Sequence, residues 1–189
     1  ILDSGATEQT VILDSETGQL ISRFTPQGEG ENKNACWSRG QAWAIYGLAI
    51  SGRYLRDDGI FEICKRLCHY FLNRLQSDFI ANWDFCYRND SDQRDTSAVA
   101  TTICGLLELS RNLAVCDSER KIYECAAKVL THKLMEHYWY TDSESKNAIL
   151  KSGVYGYRMN LCVNEPVIWG DYYFMESLVR LVKHNRAFI

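Results

Sequence analysis

The sequence predicts an all-α fold of helical hairpins, preceded by a short N-terminal β-hairpin. Three observations carry this. After residue 37 apolar residues recur mostly at helical spacing. Two segments, "GLAISGR" at 47–53 and "GLLELSR" at 105–111, echo each other with Gly-Leu first and Arg seventh, and each leads through a polar link into a second helical run. That is the pattern of stacked helical pairs in a toroid or solenoid. Before residue 26 the pattern is that of strands instead.

Residues 8–25, "EQTVILDSETGQLISRFT", read as the hairpin, with Gly18 at its turn. "PQGEGENKNA" follows as a loop rich in Gly and Asn. The first helix is expected over 37–55, with Ala44, Ile45, Leu48 and Ala49 on its apolar stripe. The second, 57–75, places Asp57 and Asp58 at its positive end. Asp95 is the expected N-cap of the third helix and Ser118 that of the fourth. Residues 141–169 read as loop, and the last helix begins at Gly170. Gly47 and Gly105 fall inside helices, where glycine costs about 1 kcal/mol against alanine. Close helix packing is the expected reason.

The 189 residues fit one domain, and 46% hydrophobic content is enough for a core. The net charge of -3 gives no electrostatic footprint for nucleic acid, so no nucleic-acid partner is expected. No apolar run reaches the roughly 18 residues of a membrane span, so no membrane partner is expected either. "ILDSGATEQT" has neither the basic start nor the apolar run of a secretory leader, nor an initiator Met, as in a fragment or processed form. The 8 cysteines are scattered, and several lie in apolar helical patterns where a free thiol behaves as a small hydrophobe. Reduced thiols are expected, with a lean towards a reducing, cytoplasmic compartment; the sequon "NDS" at 89–91 points the other way. His69, His132, His137 and His184 sit on expected helices without a metal-like partner and read as ordinary surface or core residues.

The polar and aromatic residues gather at helix starts. Gln27 lies in "TPQGE", Arg39 and Trp43 open the first helix, Trp83 and Asp84 precede the third, and Trp169, Asp171 and Tyr172 open the last. If the helices pair antiparallel, alternate starts share one end of the bundle. Such an end would suit a sugar acid: indoles stack on pyranose C–H groups, Arg forks a carboxylate and amides bond hydroxyls. The structural alternatives stay open. A Trp at a helix start often serves as a packing wedge, and Asp84, Asp95 and Asp171 are all plausible caps.

"TPQGEGENKNACWSRGQAWAIYGLA", "WDF" at 83–85, "RDTSAVATTICGLLEL" and "EPVIWGDYYFMESLVRL" together resemble glycoside hydrolase family 88, the unsaturated glucuronyl hydrolases, in the family's order and over nearly the whole chain. The resemblance implies part of an (α/α)6 toroid, with 1–189 a single partial domain corresponding to the C-terminal portion. It implies removal of a 4,5-unsaturated uronic acid from the non-reducing end of lyase-generated oligosaccharides. In that chemistry an Asp protonates the C4=C5 vinyl ether, water adds at C5, and the hemiketal collapses to release the aglycone. No metal or organic cofactor is implied, and the partner is the unsaturated uronic-acid oligosaccharide. By position, Gln27, Arg39 and Trp43 match the family's substrate-contacting Gln, Arg and stacking Trp. Trp169 and Asp171 join them as expected substrate-binding residues. Arg39 and Trp43, one turn apart, are then expected to face a pocket rather than the core. The family's key aspartates are expected upstream of residue 1, so the catalytic residues are unknown. The sequence departs from the family's pattern at Gln9 and Pro26, where a His is usual or frequent. A half toroid is expected to leave Ile45, Leu48 and Leu106 uncovered. The rival reading is a non-catalytic carbohydrate-binding or helical scaffold protein.

Overall fold

The computed structural model describes residues 1–28, 34–141 and 147–183. An antiparallel hairpin, β1 (Thr10–Leu13) and β2 (Leu20–Phe24), comes first. Then follow α1 (Ser38–Leu55), α2 (Asp58–Leu72), α3 (Thr96–Asn112) and α4 (Arg120–His137). A second antiparallel hairpin, β3 (Gly153–Gly156) and β4 (Leu161–Glu165), precedes α5 (Ile168–Lys183). His184 and the loop at 29–33 lie outside the described residues.

Helix α3 is the axis of the fold. It packs on both α1 and α5, and α4 covers it from outside while α2 covers α1. Every residue from Thr96 to Ser110 is buried, so this part of α3 has no solvent-facing side and is held by neighbours all round. Gly105 lets α1 come close: a Cβ there would stand 2.8 Å from Ile45 Cγ2 and 3.0 Å from the Tyr46 nitrogen. Close packing therefore explains Gly105. It does not explain Gly47, whose missing side chain would meet nothing within 4 Å.

The starts of the helices follow local chemistry. Asp57 caps α2 by accepting the Gly59 N–H at 2.8 Å, and Asp95 caps α3 by accepting the Ser97 N–H at 3.1 Å. Ser118 does not cap α4. Asp117 seats that helix instead, its Oδ1 accepting the Glu119 N–H at 2.9 Å and its Oδ2 pairing with Lys65 Nζ at 2.7 Å. A carboxylate that is also held by a lysine on α2 displaces a neighbouring hydroxyl from the role.

Two further expectations are corrected. The segment 141–169 is not all loop, because β3 and β4 pair within it. Ser152, Asn160, Cys162 and Asn164 all take positive φ there, which breaks the simple alternation by which strands are read. The strand β1 is not part of the core: Val11, Ile12 and Leu13 are all exposed. Nor are Ile45 and Leu106 uncovered; both are fully buried between α1 and α3. The exposed apolar faces lie at the edges of the helix layer, with Trp43 and Tyr54 on α1 and Ile168, Tyr172, Met175 and Val182 on α5. Among the described residues no helix is long and apolar enough to cross a membrane.

Candidate functional site

Helices α1, α3 and α5 begin at the same end of the molecule. Arg39 in the first turn of α1 pairs with Asp95 at the start of α3, and Ser97 in α3 bonds Trp169 in the first turn of α5. Three positive helix ends therefore converge, an arrangement that favours an anion. Against them lies a cavity of about 300 Å³ lined by Gln9, Gln27, Trp37, Arg39, Trp43, Tyr155 and Trp169. A second hollow of about 400 Å³ adjoins it and shares Gln9, Trp37 and Trp43.

Arg39 is the centre of this end. Only 3% of it is exposed, yet it forms part of the cavity wall. Its guanidinium carbon lies 4.7 Å from the ring centre of Trp37, 5.1 Å from Trp83, 5.0 Å from Trp169 and 5.9 Å from Trp43. A weakly hydrated, planar cation suits such an aromatic cage. Nη1 donates to Asp95 Oδ2 at 2.9 Å and to the Val154 carbonyl, and Nη2 to the Tyr155 carbonyl at 2.9 Å. Burial pulls the guanidinium below the usual arginine range, with Asp95 opposing. Burial pushes the Asp95 carboxyl up, with Arg39 opposing. Among the described residues Arg39 Nε and Trp37 Nε1 are buried without a hydrogen-bond partner.

The structure brings together four of the five residues singled out by sequence. Trp43 is 46% exposed and stands edge-on to Trp37, ring centres 5.3 Å apart. Gln27 is fixed through its backbone: its N–H donates to Gln9 Oε1 at 2.8 Å and its carbonyl accepts Trp83 Nε1 at 2.9 Å. Trp169 is half-buried, its ring 5.6 Å from Tyr155. Asp171 is not in the cavity lining. Its carboxylate accepts the N–H groups of Ile149 and Leu150 at 3.1 and 2.9 Å, tying the segment before β3 to α5. A position one turn into a helix does not say which side the residue faces, and two orphan amides claimed this one.

Trp83 and Asp84 are likewise internal. Trp83 is fully buried behind Arg39. Asp84 accepts the N–H groups of Cys36 and Cys86, each at 2.9 Å, and so pins the loops before α1 and α3 together. Gly28 is required beside it, because a Cβ there would stand 2.1 Å from Asp84 Oδ2. Sequence reasoning missed Tyr155, which belongs to the unrecognised hairpin, and missed the side of Asp95 that faces Arg39. All 8 cysteines are free thiols. Among the described residues no three His, Cys, Asp or Glu side chains cluster as a metal site needs.

No family model matches the chain. Individual relatives do. It is 38% identical over 184 residues to an unsaturated chondroitin disaccharide hydrolase of Streptococcus pneumoniae, covering 97% of this chain and 46% of that protein. It is 38% identical over 173 residues to an unsaturated glucuronyl hydrolase of Bacillus sp. (strain GL1), covering 91% of this chain and 45% of the relative. The crystal structure of an unsaturated glucuronyl hydrolase from that Bacillus, described as responsible for the degradation of glycosaminoglycan, superposes with a TM-score of 0.91 at 36% identity, over 97% of this chain and 48% of the other.

The chain belongs to the unsaturated glucuronyl hydrolases. It spans about half the length of the curated relatives it matches. Its helical hairpins are part of an α/α toroid, as the sequence led us to expect. A further solved relative, a mutant enzyme of Streptococcus agalactiae in complex with dGlcA-GalNAc6S, covers 100% of this chain at a TM-score of 0.87 and 34% identity. The α1, α3 and α5 layer is thus the family's own architecture, with its free edges at α1 and α5.

Proposed function

We propose that this chain forms the substrate-holding part of an unsaturated glucuronyl hydrolase, which removes a 4,5-unsaturated uronic acid from the non-reducing end of lyase-generated oligosaccharides. On this reading residues 1–189 are a single partial domain, and the aspartates that protonate the vinyl ether lie outside it. The observation that carries the reading is the cavity at the joint start of α1, α3 and α5, where Arg39 is caged by indoles beside Gln27 and Trp43. The convergent helix starts and Arg39 suit the sugar carboxylate. The exposed ring of Trp43 suits the flat unsaturated ring, and the Gln27 and Gln9 amides its hydroxyls.

The placement of the acidic residues supports an acid supplied from elsewhere. Asp84 and Asp171 each hold two backbone N–H groups, Asp95 holds Arg39, and Glu8, in the wall of the adjoining hollow, pairs with Arg23 at 3.3 Å. A proton donor for carbon must instead face the substrate with a proton to give.

The test follows the enol-ether absorbance of an unsaturated chondroitin disaccharide. This chain is compared with the chain joined to the further region that its relatives possess. Loss of the band only with the longer protein supports the reading. Loss with this chain alone would overturn the placement of the acid. No loss with either, together with retained binding, would favour a carbohydrate-binding module.

A further inference from the structure

Asp95 and Ser97 do more than begin a helix. Asp95 Oδ1 accepts the Ser97 N–H at 3.1 Å, which is the cap, and also the Ser97 hydroxyl at 2.6 Å. Its Oδ2 accepts Arg39 Nη1 at 2.9 Å. The Ser97 oxygen in turn accepts Trp169 Nε1 at 3.2 Å and lies 3.4 Å from Arg39 Nη1, whose two protons it shares with Asp95 and the Val154 carbonyl. A hydroxyl has one proton to give and two lone pairs to receive. Here the proton goes to α3's own cap, one lone pair faces α1 and the other faces α5. Asp95 and Ser97 are both fully buried, and neither lines the cavity. They touch the groups that do.

We infer that Asp95 and Ser97 are a positioning pair, which fixes the Arg39 guanidinium and the Trp169 indole as walls of the sugar-acid cavity. The inference rests on the reading of that cavity given above. A capping role needs only one carboxylate oxygen and the Ser97 N–H; the second oxygen and the hydroxyl are free to serve Arg39 and Trp169. Nη2 has a second N–H beyond the one it gives to the Tyr155 carbonyl, and Nε–H is buried without a protein partner among the described residues. Buried donors are normally satisfied.

The pair is tested by ¹⁵N NMR of the indole and guanidinium N–H groups, first without ligand. Ser97→Ala is expected to shift the Trp169 indole resonance and speed its hydrogen exchange. Asp95→Asn is expected to speed exchange at Arg39 Nε by about tenfold or more, a loss of order worth about 1.4 kcal/mol. Leu130→Ala, a destabilising change inside α4, should lower the Tm and move neither signal. A titration with the unsaturated chondroitin disaccharide should then show about tenfold weaker binding in both pair variants. Unmoved resonances in Ser97→Ala, which keeps the cap and is the safer folder, would overturn the inference. If the signals move but the parent chain binds no disaccharide, the pair stands and the functional reading of the cavity falls.

Discussion

The three inner helices bury an arginine at each end, and the two are held in opposite ways. At the pocket end Arg39 has one carboxylate, Asp95, plus two backbone carbonyls. At the far end Arg180 has two carboxylates, Glu108 Oε2 at 2.9 Å and Glu176 Oε1 at 2.8 Å, with the Tyr46 hydroxyl at 2.7 Å from Nη2. Arg53 joins through the other Glu108 oxygen at 3.0 Å. Burial pulls both guanidinium groups down. At Arg180 the hydrogen bond to Glu108, with Tyr46 and Glu176, more than offsets it and leaves the cation strengthened. At Arg39 the single partner does not. The far end is a lock of charged pairs, although Glu176 Oε2 is buried there without a partner among the described residues, and the pocket end is a cation held by one carboxylate.

The comparison breaks most visibly at the lock. Arg180→Met strands Glu176 and half of Glu108 in the interior, and removing one partner of a buried pair costs about 3–5 kcal/mol. Urea unfolding should show that loss, while disaccharide affinity stays unchanged. The matched change at the pocket end, Arg39→Met, is expected to cost less, about 1–3 kcal/mol. Burial already pushes Asp95 towards its neutral form, so it can take up a proton when the cation goes. Disaccharide binding should be lost with it. Equal losses of stability in the two variants would erase the distinction between lock and cage.

Alkaline titration sharpens the pocket end. Burial pushes the Cys36 thiol up to about 11 from an ordinary value of 9.0. The folded state keeps the proton after the unfolded chain has lost it, so this stability is present below pH 9 and is lost as pH rises to 11. The fall is expected to be about 2 kcal/mol. Cys36→Ser, compared with the parent by urea unfolding at pH 8 and pH 11, should remove that part of the fall and leave the part that the buried thiols of Cys68 and Cys104 contribute in the same direction. The smallest effect on stability belongs to Trp43→Ala. The ring is half exposed, so unfolding should change by less than about 1 kcal/mol. Disaccharide affinity should nevertheless fall roughly tenfold. A variant that unfolds easily yet binds normally would make Trp43 a packing wedge.

Much of this architecture could be read without coordinates. The helical spacing placed all five helices to within a few residues, because long amphipathic or fully apolar runs leave little choice of period. The family resemblance brought out Gln27, Arg39 and Trp43, and the clustering of aromatic residues at helix starts brought out Trp169; the four meet around one cavity. Short strands were less legible. β3 and β4 have 4 and 5 residues and bend through positive-φ positions, so no clean alternation survives.

The sequence by itself determined the helical class, the acidic start of α2, the cap at Asp95, and the family. These depend on local chemistry, spacing and motif, which the chain carries along its length. Only the tertiary structure decided which side each polar group faces. Asp171 lies beside Trp169 in sequence but turns to the amides of 149 and 150, while Asp95 both caps its helix and grips Arg39 from 56 residues away. A carboxylate goes to the strongest unsatisfied donors within reach. Which donors those are depends on how the helices pack, and no spacing rule records it.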